Sequence, residues 1–200
     1  DEELPALNTQ LDAIQAYGIR SAVIGNLGQL SLLNNRDLAL RGDFGLNVFN
    51  SDALEVLRDL GLQSVTASFE LRMPQIRDLS KCLDVELLVY GRLPLMITEN
   101  CMMKANHKNC ICQTPTELVD RTGARFPIVK DSHCRNVLLN SQILFLGDKR
   151  ADYASIGLWG ARLSFTTETP EDCVKAALWY TKQNKKPKSY TRGLYYREVE

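Results

Sequence analysis

Four of the six cysteines in this chain crowd into one stretch, spaced Cys101-x8-Cys110-x-Cys112-x21-Cys134, with His107 inside the first gap. Four thiolates supply either a tetrahedral zinc site or a cubane iron–sulfur cluster. No two of them are separated by two residues, as the usual zinc-finger pairs are. Cys-x-Cys is uncommon around one tetrahedral ion, although it can span two corners of a cluster or leave one thiol free. The plainer alternative is a set of reduced loop cysteines with no ligand. Cys82 and Cys173 fall in apparently helical stretches and read as core filler.

Other chemistries have less to work with. A peptidase needs an activated nucleophile with a base, or a metal-bound water. His107 and His133 are the only histidines, and neither His-Glu-x-x-His nor Gly-x-Ser-x-Gly occurs. Cys134 follows His133 directly, but neighbours in sequence seldom point at one another. Glu70 and Glu86 stand at or near predicted strand ends, where a carboxylate can bind substrate or act as a base. Asn47 and Asn50 are polar candidates of the same kind. Arg92, just past a strand and next to the cysteine stretch, is suited to clamping an anionic group, or to pairing with Glu70. Tyr190, Arg192, Tyr195, Tyr196 and Arg197 put rings and cations together, as base stacking would require, though a tail packed back on the body would use them equally.

Composition narrows the classes. Lys plus Arg and Asp plus Glu are 24 each, so no global field points to a polyanionic partner. The run Lys182, Lys185, Lys186 and Lys188 reads as a solvated helix end. No apolar run reaches the ~18 residues a membrane helix needs, and the acidic start is unlike a signal peptide. The expectation is a cytoplasmic protein, whose thiols would stay reduced.

The elements that must hold these residues repeat in the first ninety positions. Leu7, Leu11, Ile14 and Tyr17 recur at helical spacing before Gly18. Strands are expected at 21–26, 45–49, 63–69 and 85–90. A helix is expected from about Asp52 to Leu60, with Asp52 and Glu55 as a capping box and Gly61 as its stop, and a short one over 74–79. Such alternation predicts parallel βαβ units, and four strands are half of an eight-stranded barrel. The expected class is therefore α/β: a partial, TIM-barrel-like (β/α) domain over 1–95, a cysteine-rich metal-binding insertion over 96–135, and a small α+β part over 136–200. An open α/β sheet is the alternative. Because the chain opens on a helix, a missing N-terminal half of the same protein is expected as a partner. Residues 96–134 read as a long loop, with one short strand at 126–129. Residues 153–165 read as β structure interrupted by Gly157 and Gly160, and a final helix starts at Thr169 and Pro170.

Several ordered stretches resemble a known family. They are Leu46-Asn47-Val48-Phe49-Asn50-Ser51, Val65-Thr66-Ala67-Ser68-Phe69-Glu70-Leu71, Glu86 through Tyr90-Gly91-Arg92-Leu93-Pro94-Leu95-Met96, Asp131-Ser132-His133-Cys134-Arg135, and Tyr190-Thr191-Arg192-Gly193-Leu194-Tyr195-Tyr196. Together, from about residue 20, they resemble the collagenase-like protease family, peptidase family U32. The resemblance implies a barrel-type domain followed by a cysteine-rich insertion. It carries a peptidase label, yet its better-understood branches are oxygen-independent hydroxylases of RNA bases or small aromatic precursors. Those hold a four-iron four-sulfur cluster on four cysteines, which implies Cys101, Cys110, Cys112 and Cys134 as ligands here, with zinc as the alternative. Many members carry His-Gly-Ala-x-Cys where this chain has Tyr90-Gly91-Arg92-Leu93-Pro94, so it is closer to the branch with Tyr-Gly-Arg-Leu-Pro-Leu-Met. The substrate expected from this resemblance is RNA or a small aromatic molecule. Glu70 and Arg92, chosen from their positions at strand ends, are the catalytic candidates.

Overall fold

A computed structural model describes residues 4–33, 35–105, 115–131, 134–182 and 185–196. The chain divides into two compact units. The first comprises Asp1–Leu88, Ala151–Ala161 and Gly193–Glu200, and the second Val89–Arg150 and Arg162–Arg192.

The first unit begins with α1 (Leu4–Ala16), β1 (Ser21–Ile24), α2 (Leu30–Leu33) and β2 (Ala39–Gly42). It continues through α3 (Ser51–Asp59), β3 (Leu62–Thr66), α4 (Met73–Asp78) and β4 (Asp84–Gly91). β1 to β4 are parallel and lie in sequential order, with Val23 beside Arg41, Arg41 beside Ser64, and Thr66 beside Glu86. The expected α/β class with a parallel sheet is thus present. α3 forms because Leu54 and Leu57 recur on one face and are buried against β3, while Asp52 and Arg58 suit the two ends of the helix dipole. Its N-cap is Asn50, whose Oδ1 accepts the Ala53 N–H at 2.8 Å, and not Asp52 as the capping-box pattern suggested. Gly61, at φ +90°, supplies the left-handed turn that stops it. Lys81 closes α4 by donating from Nζ to the carbonyls of Ile76 and Leu79.

The second strand lies earlier than expected. Residues 45–49 look like a strand because Leu46, Val48 and Phe49 are apolar. Instead, Asp43 caps a short 3-10 turn over Phe44–Leu46, and Asn47 sits in the left-handed region at φ 52°. Only Val48 pairs, in a single parallel bridge with Ala67. The actual β2 carries Arg41 and Gly42, poor strand formers that hid it.

In the second unit, the end of β4 pairs antiparallel with β9 (Leu144–Phe145). The stretch expected to be loop with one strand at 126–129 has that strand, β7 (Arg125–Lys130), and also builds β5 (Pro94–Thr98), α5 (Met102–Ala105) and β6 (Thr116–Val119), with β8 (Asn136–Leu139) after it. These strands form an antiparallel sheet in the order β5-β8-β7-β6. β5, β6 and β8 were missed because strands of four or five residues give too short a window for a period-two pattern. Asp120 turns the β6–β7 hairpin by accepting from the Thr122 and Ala124 N–H groups.

The interrupted β structure expected over 153–165 is confined to 160–163. α6 (Arg150–Ala154) precedes β10 (Gly160–Leu163), which lies next to β4 in the sheet order. α7 (Pro170–Thr181) starts as its sequence signals, with the Thr169 hydroxyl accepting the Asp172 N–H at 3.2 Å. It buries Ala176 in a cluster with Tyr90 and Phe145, flanked by Trp179, Tyr180 and Tyr190. The Tyr180 hydroxyl donates to the Val89 carbonyl at 2.7 Å and accepts the Leu146 N–H at 3.1 Å.

The aromatic tail packs inward. Within the first unit, Tyr195 is 1% exposed and donates to the Leu88 carbonyl at 2.8 Å. Burial pushes its phenol well above the usual range. Arg192, within the second unit, binds Asp148 through both terminal nitrogens at 2.6 and 2.7 Å. Arg197 lies outside the described residues. Among those residues, no helix is long and apolar enough to cross a membrane.

Candidate functional site

The antiparallel sheet gathers the cysteine-bearing connections at one end. Thr98 at the end of β5 pairs with Asn136 at the start of β8, and Lys130 at the end of β7 pairs with that same Asn136. Thr116 at the start of β6 pairs with Ile128, near the same end of β7. Cys101 follows β5 and Cys134 lies between β7 and β8. Cys110 and Cys112 belong to the connection from α5 to β6, and with His107 and His133 they lie outside the described residues. Connectivity therefore directs Cys101 and Cys134, the two of the four that are described, to turns at a single sheet end.

Local packing shapes that end. Met103 is 2% exposed and joins Ile128 and Leu138 in a small apolar cluster against which Cys101 packs, half-buried. Cys134 is exposed and has φ 61°, a left-handed conformation that costs a residue with a side chain about 1–2 kcal/mol. Such strain is held where the surroundings require a particular chain direction. Asn136 ties the two turns together, its Oδ1 accepting the Met102 N–H at 2.6 Å and its Nδ2 donating to the Arg135 carbonyl at 3.0 Å. Nothing in the expected site included Asn136. The only signal was a polar residue at the head of the apolar run Val137-Leu138-Leu139.

Cys82 and Cys173 are free thiols, both partly buried. Cys173 is in α7, but Cys82 is in a bend between α4 and β4, where its N–H donates to the Ser80 hydroxyl at 3.3 Å.

Arg92 lies between β4 and β5. Its Nη1 donates to the carbonyls of Asn140 at 2.8 Å and Ser141 at 2.6 Å, while its Nε is buried without a partner. An unpaired buried N–H costs about 1–3 kcal/mol, which calls for a compensating role. Arg92 lines two hollows of the second unit. One is a groove of 500 Å³ walled by Pro115, Pro127 and Val129, with Lys130 and Thr167 at its margins. The other, of 250 Å³, is lined also by Tyr90, Glu168, Asp172 and Trp179. Glu168 Oε2 accepts the N–H groups of Thr166 and Thr167 at 2.7 and 3.0 Å. Its buried Oε1 meets no donor at hydrogen-bonding geometry. Burial first, and then the charge of Glu168, push the Tyr90 phenol above its ordinary range. Glu168 and Lys130 were not among the expected residues, since an acid before a helix and a lysine ending a strand are common surface features.

The remaining candidates belong to the first unit. Glu70 is exposed in a turn past the C-terminal end of β3, and its N–H donates to the Ser68 hydroxyl at 3.3 Å. Glu86 is within β4, half-buried, and its Oε2 accepts from the Thr66 hydroxyl at 3.1 Å. On the same sheet face Arg41 donates to Ser64 at 2.9 Å and its guanidinium stacks 4.5 Å over Trp159. Asn47 and Asn50 serve the backbone, as a left-handed turn residue and a helix cap.

A parallel α/β sheet joined in sequence to an antiparallel, cysteine-bearing sheet is the class of protein these elements define. The chain matches Peptidase family U32 over residues 1–146, and it belongs to that family. Comparison with curated proteins and with solved structures gives no match.

Proposed function

We propose that this chain carries the cysteine site and part of the catalytic domain of a cluster-dependent modifying enzyme, one that hydroxylates an RNA base or a small aromatic molecule without oxygen. The observation that supports this most is the convergence of the Cys101 and Cys134 turns on one end of the β5-β8-β7-β6 sheet. Four thiolates fit a four-iron cluster, and the apolar patch of Met103, Ile128 and Leu138 beside Cys101 fits a group whose potential depends on solvent exposure. When bound, such a cluster supplies one-electron chemistry. In this reading Cys101, Cys110, Cys112 and Cys134 hold it, and Asn136 positions the turns of Cys101 and Cys134. Arg92 is the substrate-binding candidate of the second unit, and Glu70 is the catalytic candidate of the first.

We read β1 to β4 as an arc of a (β/α) barrel. Doubly wound sheets reverse strand order at a switch point, whereas barrels add strands in sequence, as these four do. Glu70 then falls on the C-terminal side of the strands, where barrel enzymes keep their chemistry.

The family's peptidase label supports a second reading, as a protease. A structural zinc on the same thiolates is the third, and it would make this part of the protein non-catalytic. Iron, acid-labile sulfide and zinc measured on anaerobically purified protein, with Cys134→Ala as control, separate them. About four irons and four sulfides per chain, with absorption near ~400 nm lost in the control, is the expected result. One zinc without sulfide would overturn the cluster reading, and neither metal would leave the thiols without a ligand.

A further inference from the structure

The turn that carries Cys134 is closed twice by the residue that follows it. The Arg135 carbonyl accepts the Asp131 N–H at 2.9 Å and Asn136 Nδ2 at 3.0 Å, so the backbone shuts the connection from β7 to β8. The Arg135 guanidinium shuts the same turn again, with Nη2 3.2 Å from Asp131 Oδ2.

From there the side chain reaches across the sheet end. Arg135 Nη1 lies 3.7 Å from Glu99 Oε1, and Glu99 stands two residues before Cys101. Glu99 follows β5, Arg135 precedes β8 and Asp131 follows β7, so one cation spans three neighbouring strand ends. Asn136 joins the Cys101 and Cys134 turns through a neutral amide. The Arg135 link differs in kind, because its strength depends on charge and is weakened by salt. Glu99 is 85% exposed, and an ion pair with so exposed an acid adds little to the stability of a fold. Residues behind the ligands of a metal site nonetheless orient those ligands, and their loss typically lowers metal affinity by about tenfold or more.

We propose that Arg135 is a positioning residue for the cysteine site: bridging Asp131 and Glu99, its guanidinium sets how the Cys101 and Cys134 turns face each other, and so how tightly their thiolates hold a metal. This deepens the cysteine-site reading above and rests on those thiols being ligands, not on which metal they hold.

The test uses Co2+ alone as the probe, added anaerobically to the whole reduced chain and withdrawn by titration with a chelator. Cobalt–thiolate charge-transfer absorption reports the bound fraction, and Cys134→Ala is the control that should weaken it. Wild type is compared with Glu99→Gln, Arg135→Lys and Arg135→Gln. At low salt, affinity should fall about threefold in Glu99→Gln and about tenfold in Arg135→Gln. Arg135→Lys keeps the charge but lacks the planar fork that spans both acids, and should fall between wild type and Arg135→Gln. Glu99→Gln should lose its effect at ~1 M salt, where screening has already broken the pair in wild type. An Arg135 that only holds the fold would lower the unfolding midpoint and leave the cobalt affinity of Glu99→Gln unchanged. Glu99 is on the surface, so its variant reads the link even if the Arg135 variants fail to fold. Equal cobalt affinity in wild type and Glu99→Gln at low salt would overturn this inference and leave the cysteine site standing. Wild type that forms no cobalt–thiolate band would overturn both.

Discussion

Asn136 is fully buried at the start of β8, and its side chain holds the backbone N–H of Met102, the residue after Cys101, at 2.6 Å. Since Cys134 lies two residues before Asn136, one amide side chain sets the directions of two cysteine-bearing turns. Asn136→Leu should lower stability to urea by about 1–3 kcal/mol, because it strands the Met102 N–H in an apolar place. Asn136→Asp keeps the acceptor oxygen and should recover part of that loss. If the bond positions the cysteines, metal content will fall in Asn136→Leu even under conditions where the fold is intact. Unchanged stability and metal content would remove Asn136 from this role.

Gly91 ends β4 at φ +134°, and a Cβ there would collide with the Ser164 carbonyl. Both the conformation and the close approach demand glycine. Gly91→Ala should therefore cost more than the ordinary ~1 kcal/mol of a surface change, on the order of 3 kcal/mol. Thermal unfolding of the variant checks this. A shift near zero would mean that β4 and Ser164 separate easily.

Asp148 accepts two bonds from Arg192, which holds its carboxyl below the ordinary carboxylate range. A carboxylate depressed in the folded state contributes stability above its unfolded pKa, and that contribution is lost as the pH falls through the lower folded value. Stability should therefore decline as the pH drops below about 4. Asp148→Asn should flatten that part of the pH profile. Denaturant midpoints of both proteins at pH 3 and pH 6 decide it, and parallel profiles would deny the pair any role.

Tyr195 has its hydroxyl bonded to the Leu88 carbonyl in a fully buried setting. Tyr195→Phe should cost about 1–2 kcal/mol from the stranded carbonyl, and Tyr195→Ala about 3–5 kcal/mol from the cavity as well. Nucleic-acid affinity, were any present, should not depend on this ring directly.

Much of the first unit was readable because its signals are long and redundant. α3 has an apolar face, a polar start and a terminal glycine, and β4 is an apolar run bounded by turns. β2 was not readable, since the Arg41 and Gly42 that occupy it are stabilised by neighbouring strands and not by local preference. The cysteine end was half legible. Residue type and spacing singled out the thiols, but the strands that bring the turns of Cys101 and Cys134 to one end are four to six residues long and pair across gaps that no local pattern records. Arg92 was found from its place after a strand. The carbonyls that anchor it, 48 and 49 residues further on, and the hollows it lines exist only once the chain has folded.

The path of the chain through its two units has a consequence for how the protein can be taken apart. It enters the first unit, leaves at Leu88, returns for Ala151–Ala161, leaves again, and comes back at Gly193. Neither unit is a contiguous cassette that a ribosome finishes before starting the other. A nascent chain stalled anywhere before Gly193 lacks the last piece of the first unit, including the Tyr195 that closes it. Truncations designed to isolate the cysteine sheet should therefore yield insoluble or protease-sensitive product, and a split version would need both pieces made together.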